Sequence, residues 1–486
     1  MQETYDVIVV GAGGSGLAAA CSAAEQGGQV LLLEKRPQPG GTTGIAVGSF
    51  TSSQTRLQQQ ANIQDDPGRH AEDAAKFAPP EIEACNNDAL REFFLQCSAE
   101  AFHWLESLGL SFVGPHPEPP NRVPRMHNVV PGAKAYIAAM QRELQRRGGK
   151  LVCGATVKSL LQAEGQVIGV HAALADSQER RYLARHGVIL AAGDYSNNAE
   201  MIARFKGSQF QDIDGVNPFA TGDGHQMALR AGAQLLNMEV AYGPELRFTA
   251  SHKKPFQQWL PASGWSARLL GSLAGWLPNK FKQAMIKRLL VTWQHPEDAL
   301  FTDGAILLNR QGRRFVEETQ WPQREIAVAQ QPQKQAYILL DGRLVRRYSK
   351  WPHFISTAPD IAYAYVDDYL RLRPDATVIR ETLEDVLEAR GLDRTAGREA
   401  ATAANLQSGP WVLLGPLQAY FTTTEGGVRV DEKLRALGAD GKAIPGLYAV
   451  GQNGLGGQVL WGHGLHIAWA ITSGRLAGKS VMNGAG

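Results

Sequence analysis

Short apolar runs that stop at glycine recur along this chain, and each predicts a strand with no polar face. Asp6-Val7-Ile8-Val9-Val10 is apolar and β-branched without alternation, as a strand covered on both faces of a parallel sheet requires. It breaks into Gly11-Ala12-Gly13-Gly14-Ser15-Gly16, and the alanine-rich stretch from Leu17 to Glu25 predicts a helix closed by Gly27-Gly28. A second strand, Gln29-Val30-Leu31-Leu32-Leu33, ends at Glu34. The pattern returns in residues 187–194, Gly-Val-Ile-Leu-Ala-Ala-Gly-Asp, and in residues 446–452, Gly-Leu-Tyr-Ala-Val-Gly-Gln. The last run leads to Gly464 and a helical stretch from His466 to Ala477. One sheet assembled from pieces this far apart is the expected architecture.

The spacing after the first strand carries chemistry. Gly11 permits the tight turn, Gly13 lets backbone approach a pyrophosphate, and Gly16 lets helix and strand pack closely. The helix N-terminus offers unpaired N–H groups and partial positive charge to phosphates. Glu34, 23 residues after Gly11, stands where a carboxylate accepts ribose hydroxyls. Strand, glycines, helix, strand and acid in this order predict a dinucleotide site. Contact from three distant segments suits FAD better than NAD, and no second strand–glycine–helix unit follows to hold a nicotinamide cofactor.

Composition narrows the class. With 486 residues, 44% of them apolar and 20% charged, the chain has the material for two or three domains with buried cores. Lys and Arg number 49 against 47 Asp and Glu, a balance unlike that of a nucleic-acid binder. No apolar stretch is long enough to span a bilayer. The polar start runs straight into the first strand, leaving no room for a secretory signal. Cys21, Cys85, Cys97 and Cys153 are scattered, fitting neither a metal site nor a disulfide framework, so a cytoplasmic protein without a metal is expected.

Further motifs carry a family resemblance over almost the whole length: Ala220-Thr221-Gly222-Asp223-Gly224-His225, Gly304-Ala305-Ile306-Leu307-Leu308-Asn309, Gly312-Arg313-Arg314-Phe315-Val316, Ile444-Pro445-Gly446 and Gly474-Arg475-Leu476-Ala477-Gly478. In this order they resemble the flavoprotein family of fumarate reductases, succinate dehydrogenases and ketosteroid dehydrogenases. The resemblance implies an α/β fold: a split Rossmann-type FAD-binding domain, residues 1–238 and 420–486, with an inserted α+β capping domain, residues 239–419. It places FAD on Gly11, Gly13, Gly16, Glu34, Thr42, Thr43, Gly48, Val157, Asp223, Gln452, His466 and Ile467. Thr42 stands where flavinylated members carry histidine, so the FAD is expected to be non-covalent.

The substrate site departs from the fumarate enzymes, which grip a dicarboxylate with His and Arg because desolvated carboxylates need fixed counter-charge. Their His-Pro segment reads Gly243-Pro244 here, their His-Thr-Met-Gly-Gly segment reads Thr423-Thr424-Glu425-Gly426-Gly427, and their clamping arginine falls near Leu460-Trp461. Loss of these cations disfavours fumarate and succinate. The implied reaction is hydride transfer between flavin N5 and a carbon–carbon bond beside a carbonyl, in an apolar, cyclic, ketosteroid-like compound. The candidate proton movers are His463, between two glycines, Tyr420 and Tyr242 at the cap edges, and Arg324. Arg125 and His127, in a loop bounded by Pro124 and Pro131, are further candidates. Electrons would pass to or from an external quinone, oxygen or carrier protein. Two alternatives stay open: an isomerase or hydratase using flavin without net redox, and a membrane-associated binding or electron-transfer flavoprotein.

One segment stands apart. From Leu246 to Pro296 there is no acid, but there are eight basic residues, among them Lys253, Lys254, Arg268, Lys280, Lys282, Lys287 and Arg288. Trp259, Trp265, Trp276 and Trp293 fall within it, and Trp265, Leu269, Leu273, Trp276 and Leu277 share one helical face. Such a mixture in residues 251–296 reads either as an interfacial helix on an anionic membrane, with peripheral attachment to its inner face, or as a cap helix packed on the protein. Nucleic acid is not an expected partner.

Overall fold

The computed structural model describes residues 2–249, 287–288, 290–292, 295–358 and 362–484. The main sheet runs Arg435–Leu437, Ala443–Ala449, Glu179–Leu190, Gln2–Val10, Val30–Glu34, Lys150–Cys153. All neighbours are parallel except the first pair. Val7 pairs with Val30 and Val10 with both Leu33 and Leu190, so the apolar runs lie side by side. Val7, Ile8, Val9, Leu31 and Leu32 are fully enclosed, which is why these strands show no polar alternation. An antiparallel pair, Thr156–Ala163 and Gln166–Ala173, joins the sheet through Glu179–Leu190.

Helix Gly14–Glu25, the turn's continuation, is covered by the C-terminal helix Leu465–Asn483. Their seam is made of small residues. A Cβ on Gly474 would stand 2.3 Å from Ser15 O, and one on Gly478 2.4 Å from Ala19 O. Only glycine lets the two backbones approach so closely, and the two ends of the chain are thereby locked into one layer.

A second core surrounds an antiparallel sheet of distant segments. Its central strand, Trp411–Phe421, pairs with Glu245–Phe248, Ala336–Leu340 and Thr377–Arg380, and in parallel with Asp214–Gly215. Ile306–Leu308 extends the sheet beyond Ala336–Leu340. Leu417, Ala419 and Phe421 face the core, while Gln418 and Tyr420 lie on the opposite face. The fold is mixed α/β, its parallel sheet drawn from both ends of the chain, as the sequence predicts.

Most of the basic tryptophan-rich segment, including Trp259, Trp265, Trp276 and Trp293, lies outside the described residues. Its described end packs on the second core. Leu290 and Val291 are buried, Arg373 Nη1 donates to Val291 O at 3.0 Å, and Lys287 Nζ donates to Asp368 Oδ2 at 2.9 Å. Among the described residues no helix is long and apolar enough to cross a membrane.

Candidate functional site

The glycine turn is built as its spacing requires. Gly11 has φ +102°, and a Cβ there would stand 2.4 Å from Ala191 O; on Gly16 it would stand 1.8 Å from Gly11 O. Gly13 differs. It caps the helix in an extended conformation (φ −78°), and the nearest atom to a Cβ would be Gly41 Cα at 3.7 Å. The protein leaves room beside Gly13, and the helix N-terminus opens onto it. Glu34 is buried, with Oε2 accepting from Ala12 N at 2.7 Å and Oε1 from Arg36 N at 2.9 Å, so each oxygen keeps a lone pair for another donor.

The flanking segments converge on this turn. Gly40 N donates to Ala12 O at 2.9 Å, and Thr43 lies under Gly14. Thr42 Oγ1 accepts from Asn217 Nδ2 at 2.9 Å. Asp223, in the first turn of helix Asp223–Arg230, holds Lys35 Nζ at 2.8 Å. Gly48 has φ +108°, with its carbonyl taking the Tyr136 hydroxyl at 3.0 Å, and Val157 is buried on the antiparallel pair. The C-terminal strand delivers Gln452, whose Nε2 donates to Thr423 Oγ1 at 2.7 Å and to Thr424 O at 3.2 Å. Thr423 Oγ1 in turn donates to the buried Asp194, whose carboxyl is pushed up by burial. Gln452 Oε1 is enclosed with no hydrogen-bond partner among the described residues. An enclosed acceptor without a donor, a glycine with space beside it and a carboxylate with spare lone pairs fit the hydroxyls and pyrophosphate of FAD.

Gly464, in the left-handed region at φ +84°, caps helix Leu465–Asn483, which presents His466 and buried Ile467 in its first turn. His466 Nε2–H donates to Oε1 of the fully buried Glu425 at 2.7 Å. Just before the cap stands His463. Its Nδ1–H and its backbone N–H both donate to Glu118 Oε1, at 2.5 and 2.9 Å, and its carbonyl accepts from Thr51 Oγ1 at 2.6 Å. The hydrogen bond to Glu118 holds the imidazole pKa above its ordinary value, although the ring itself is 56% exposed.

From the other side comes Tyr242, paired in register with Thr423 and packed edge-on against Trp461, ring centres 5.2 Å apart. Burial, reinforced by Glu245, pushes its phenol well above the usual range, so it is a donor at neutral pH. Glu245 and Arg247 pair at 2.8 Å on the adjoining strand, and both act electrostatically on His463. Glu118 and Glu245 act electrostatically on both His463 and Tyr242, which share that field.

Other sequence candidates are placed elsewhere. Tyr420 hands its hydroxyl to Gln418, two residues back on the same strand face. Arg324 is buried, held by Glu325 Oε1 at 2.6 Å, Asp298 Oδ1 at 2.8 Å and Glu318 O at 3.1 Å. Arg125 is fully enclosed between Asp65 at 2.7 Å and Asp73 at 2.6 Å. His127 is sealed against Thr55 Oγ1 at 2.9 Å, and burial lowers its pKa to about 4. Glu118 is the residue that sequence reading missed; a single acid among the prolines of residues 115–124 was the available signal.

Comparison with known proteins gives the family. The profile of the family described as "FAD binding domain" matches residues 6–256 and 278–459, and the chain belongs to that family. It is 28% identical to a fumarate reductase (cytochrome) of Shewanella frigidimarina, over 99% of this chain and 77% of that protein. The open conformation of a flavocytochrome c3 fumarate reductase shares its fold, with TM-score 0.75 and 23% identity over 99% of this chain and 79% of that one. So does 3-ketosteroid delta1-dehydrogenase from Sterolibacterium denitrificans, with TM-score 0.64 and 17% identity over 99% of this chain and 100% of that one. The protein is an FAD-dependent oxidoreductase acting on CH–CH groups.

Proposed function

We propose that this protein adds hydrogen to, or removes it from, a carbon–carbon bond next to the carbonyl of an apolar, cyclic, ketosteroid-like compound, using non-covalently held FAD. The observation that carries the reading is the hydrogen bond of His463 to Glu118, the same carboxylate that acts electrostatically on Tyr242, which packs edge-on to Trp461. Bound FAD supplies hydride exchange at its N5. His463 Nε2, the ring nitrogen turned away from Glu118, moves the partner proton on the adjacent carbon, and the Tyr242 phenol donates to the carbonyl oxygen. Three carboxylates, Glu245, Glu118 and Glu425, act electrostatically on Tyr242 against one cation, Arg247, which is itself paired with Glu245, a balance that disfavours a second carboxylate on the substrate. Gly13, Glu34 and Gln452 bind the cofactor in this reading, and an external quinone, oxygen or carrier protein exchanges its electrons.

The test is anaerobic. Dithionite-reduced holoenzyme is mixed with cyclic enones or with fumarate, and the flavin band is followed. Reoxidation by enones and not by fumarate is expected; the reverse pattern overturns the reading. Acid precipitation should leave all flavin in the supernatant, and a yellow pellet would refute non-covalent attachment. Because the segment's end from Lys287 packs on the second core, residues 251–286 dock on anionic membrane in the same reading, so co-sedimentation with anionic vesicles should disappear when residues 255–286 are deleted.

A further inference from the structure

Glu118 lies in a turn rich in proline, Gly114-Pro115-His116-Pro117-Glu118-Pro119-Pro120, and is only 7% exposed. Its Oε1 accepts two hydrogen bonds from one residue, the backbone N–H of His463 at 2.9 Å and Nδ1–H at 2.5 Å. Its Oε2 is enclosed with no partner among the described residues. A carboxylate can only accept, so this contact fixes the proton on Nδ1 and leaves Nε2 as the nitrogen available to a substrate. Thr51 holds the carbonyl of the same residue at 2.6 Å, so main chain and ring are both anchored while the ring face stays 56% exposed. A buried carboxylate holding both the backbone N–H and the ring of one exposed histidine is a positioning arrangement.

We propose that Glu118 is the positioning residue for proton transfer, holding the His463 ring in one orientation, with Nδ1–H on the carboxylate and Nε2 turned outward to carry the transferred proton. The inference rests on the role given to His463 above. In the reducing direction, hydride is delivered to the β-carbon while the Nε2–H bond breaks and a C–H bond forms at the α-carbon. The imidazolium becomes neutral imidazole and is recharged from solvent; the hydride's two electrons come from the external donor. Besides Glu118, the groups acting on His463 from the cap are Glu245, in the same direction, and Arg247, against it. Glu245 and Arg247 are paired with each other at 2.8 Å, so their fields largely cancel and the carboxylate in direct contact prevails.

The test reads His463 itself. Diethyl pyrocarbonate acylates neutral imidazole, so the pH midpoint of labelling at His463, followed by peptide mass spectrometry on the FAD-loaded protein, reports its pKa. The parent should show a midpoint above the ordinary value of about 6.5. Glu118→Gln keeps an acceptor without the charge, and Glu118→Ala removes both; each should lower the midpoint by about one unit or more. The alkaline limb of kcat with 2-cyclohexen-1-one should move down with it. Unaltered flavin absorbance shows that the variants have folded. A midpoint unmoved in both variants, with His463→Gln inactive, overturns the role of Glu118 alone. A His463→Gln enzyme with the parent's kcat overturns the proton-donor reading of His463, and the positioning role falls with it.

Discussion

Replacing Gly13 with alanine separates what the glycine turn does for the protein from what it does for the cofactor. At Gly11 and Gly16 a methyl group would strike backbone at 2.4 and 1.8 Å, so substitution there damages the fold whether or not a ligand binds. At Gly13 the backbone is extended, φ −78°, and the methyl group's nearest neighbour would be 3.7 Å away, an ordinary contact. Alanine should therefore cost the empty protein nothing, and by restricting the unfolded chain could add roughly 0.4–1 kcal/mol of stability. The same methyl group occupies the side on which a pyrophosphate meets the helix N-terminus. Each hydrogen bond from backbone N–H to a charged group contributes about 1.5–3 kcal/mol. Losing one weakens FAD binding by about 10- to 150-fold, and losing two by the product. Apoprotein is titrated with FAD and quenching of flavin fluorescence is followed, while urea midpoints of parent and variant apoprotein are compared. A Gly13→Ala protein that unfolds at or above the parent midpoint and binds FAD at least tenfold more weakly fits the reasoning. One that binds FAD as the parent does would refute the placement of the pyrophosphate at this turn.

Arg125→Met should lower stability by about 3–5 kcal/mol, because it leaves the buried Asp65 without a cation while Asp73 keeps Arg122 and Lys76, and Arg125→Lys should fall between; urea unfolding measures both. The neutral imidazole of His127, with its pKa lowered by burial to about 4, binds protons less readily folded than unfolded, so its share of stability is intact above about pH 6.5 and is lost as pH falls toward 4. In His127→Gln the loss between pH 7.5 and 5 should be about 2 kcal/mol smaller than in the parent; equal slopes would contradict the burial argument. Tyr242→Phe keeps the edge-on packing against Trp461 and should leave thermal stability unchanged, while lowering kcat on an enone by about 10²-fold. A change under twofold would remove Tyr242 from the chemistry.

The first sheet was legible because local pattern and global role coincide. Val7 to Val10 and Val30 to Leu33 are apolar throughout since both faces are covered, and the glycines between them have steric reasons inside a few residues. Side-chain roles were legible only where the partner was near. Arg125 looked free to reach a substrate, but Asp65 and Asp73 come from 60 and 52 residues earlier, and nothing in spacing announces them. Tyr420 illustrates the reverse: its partner Gln418 is two residues away, on the face that a period of two assigns to both. Glu118 and His463 are 345 residues apart, joined only when the turn after strand Ser111–His116 folds over the cap of the C-terminal helix.

Strand Trp411–Phe421 is the spine of the second sheet, and the chain leaves it without a linker. Four residues later it has already supplied Thr423 to Gln452 and Glu425 to His466. The spine of the second sheet and the threonine pair beside Gln452 are thus one piece of backbone, with Thr422 the single residue between the two strands. A displacement of the second sheet that keeps its spine straight must bend the chain there, and it would drag on the two side chains that hold Gln452 and His466. Strain in the second sheet is therefore passed within four residues to the turn around Gln452 and the cap around His466.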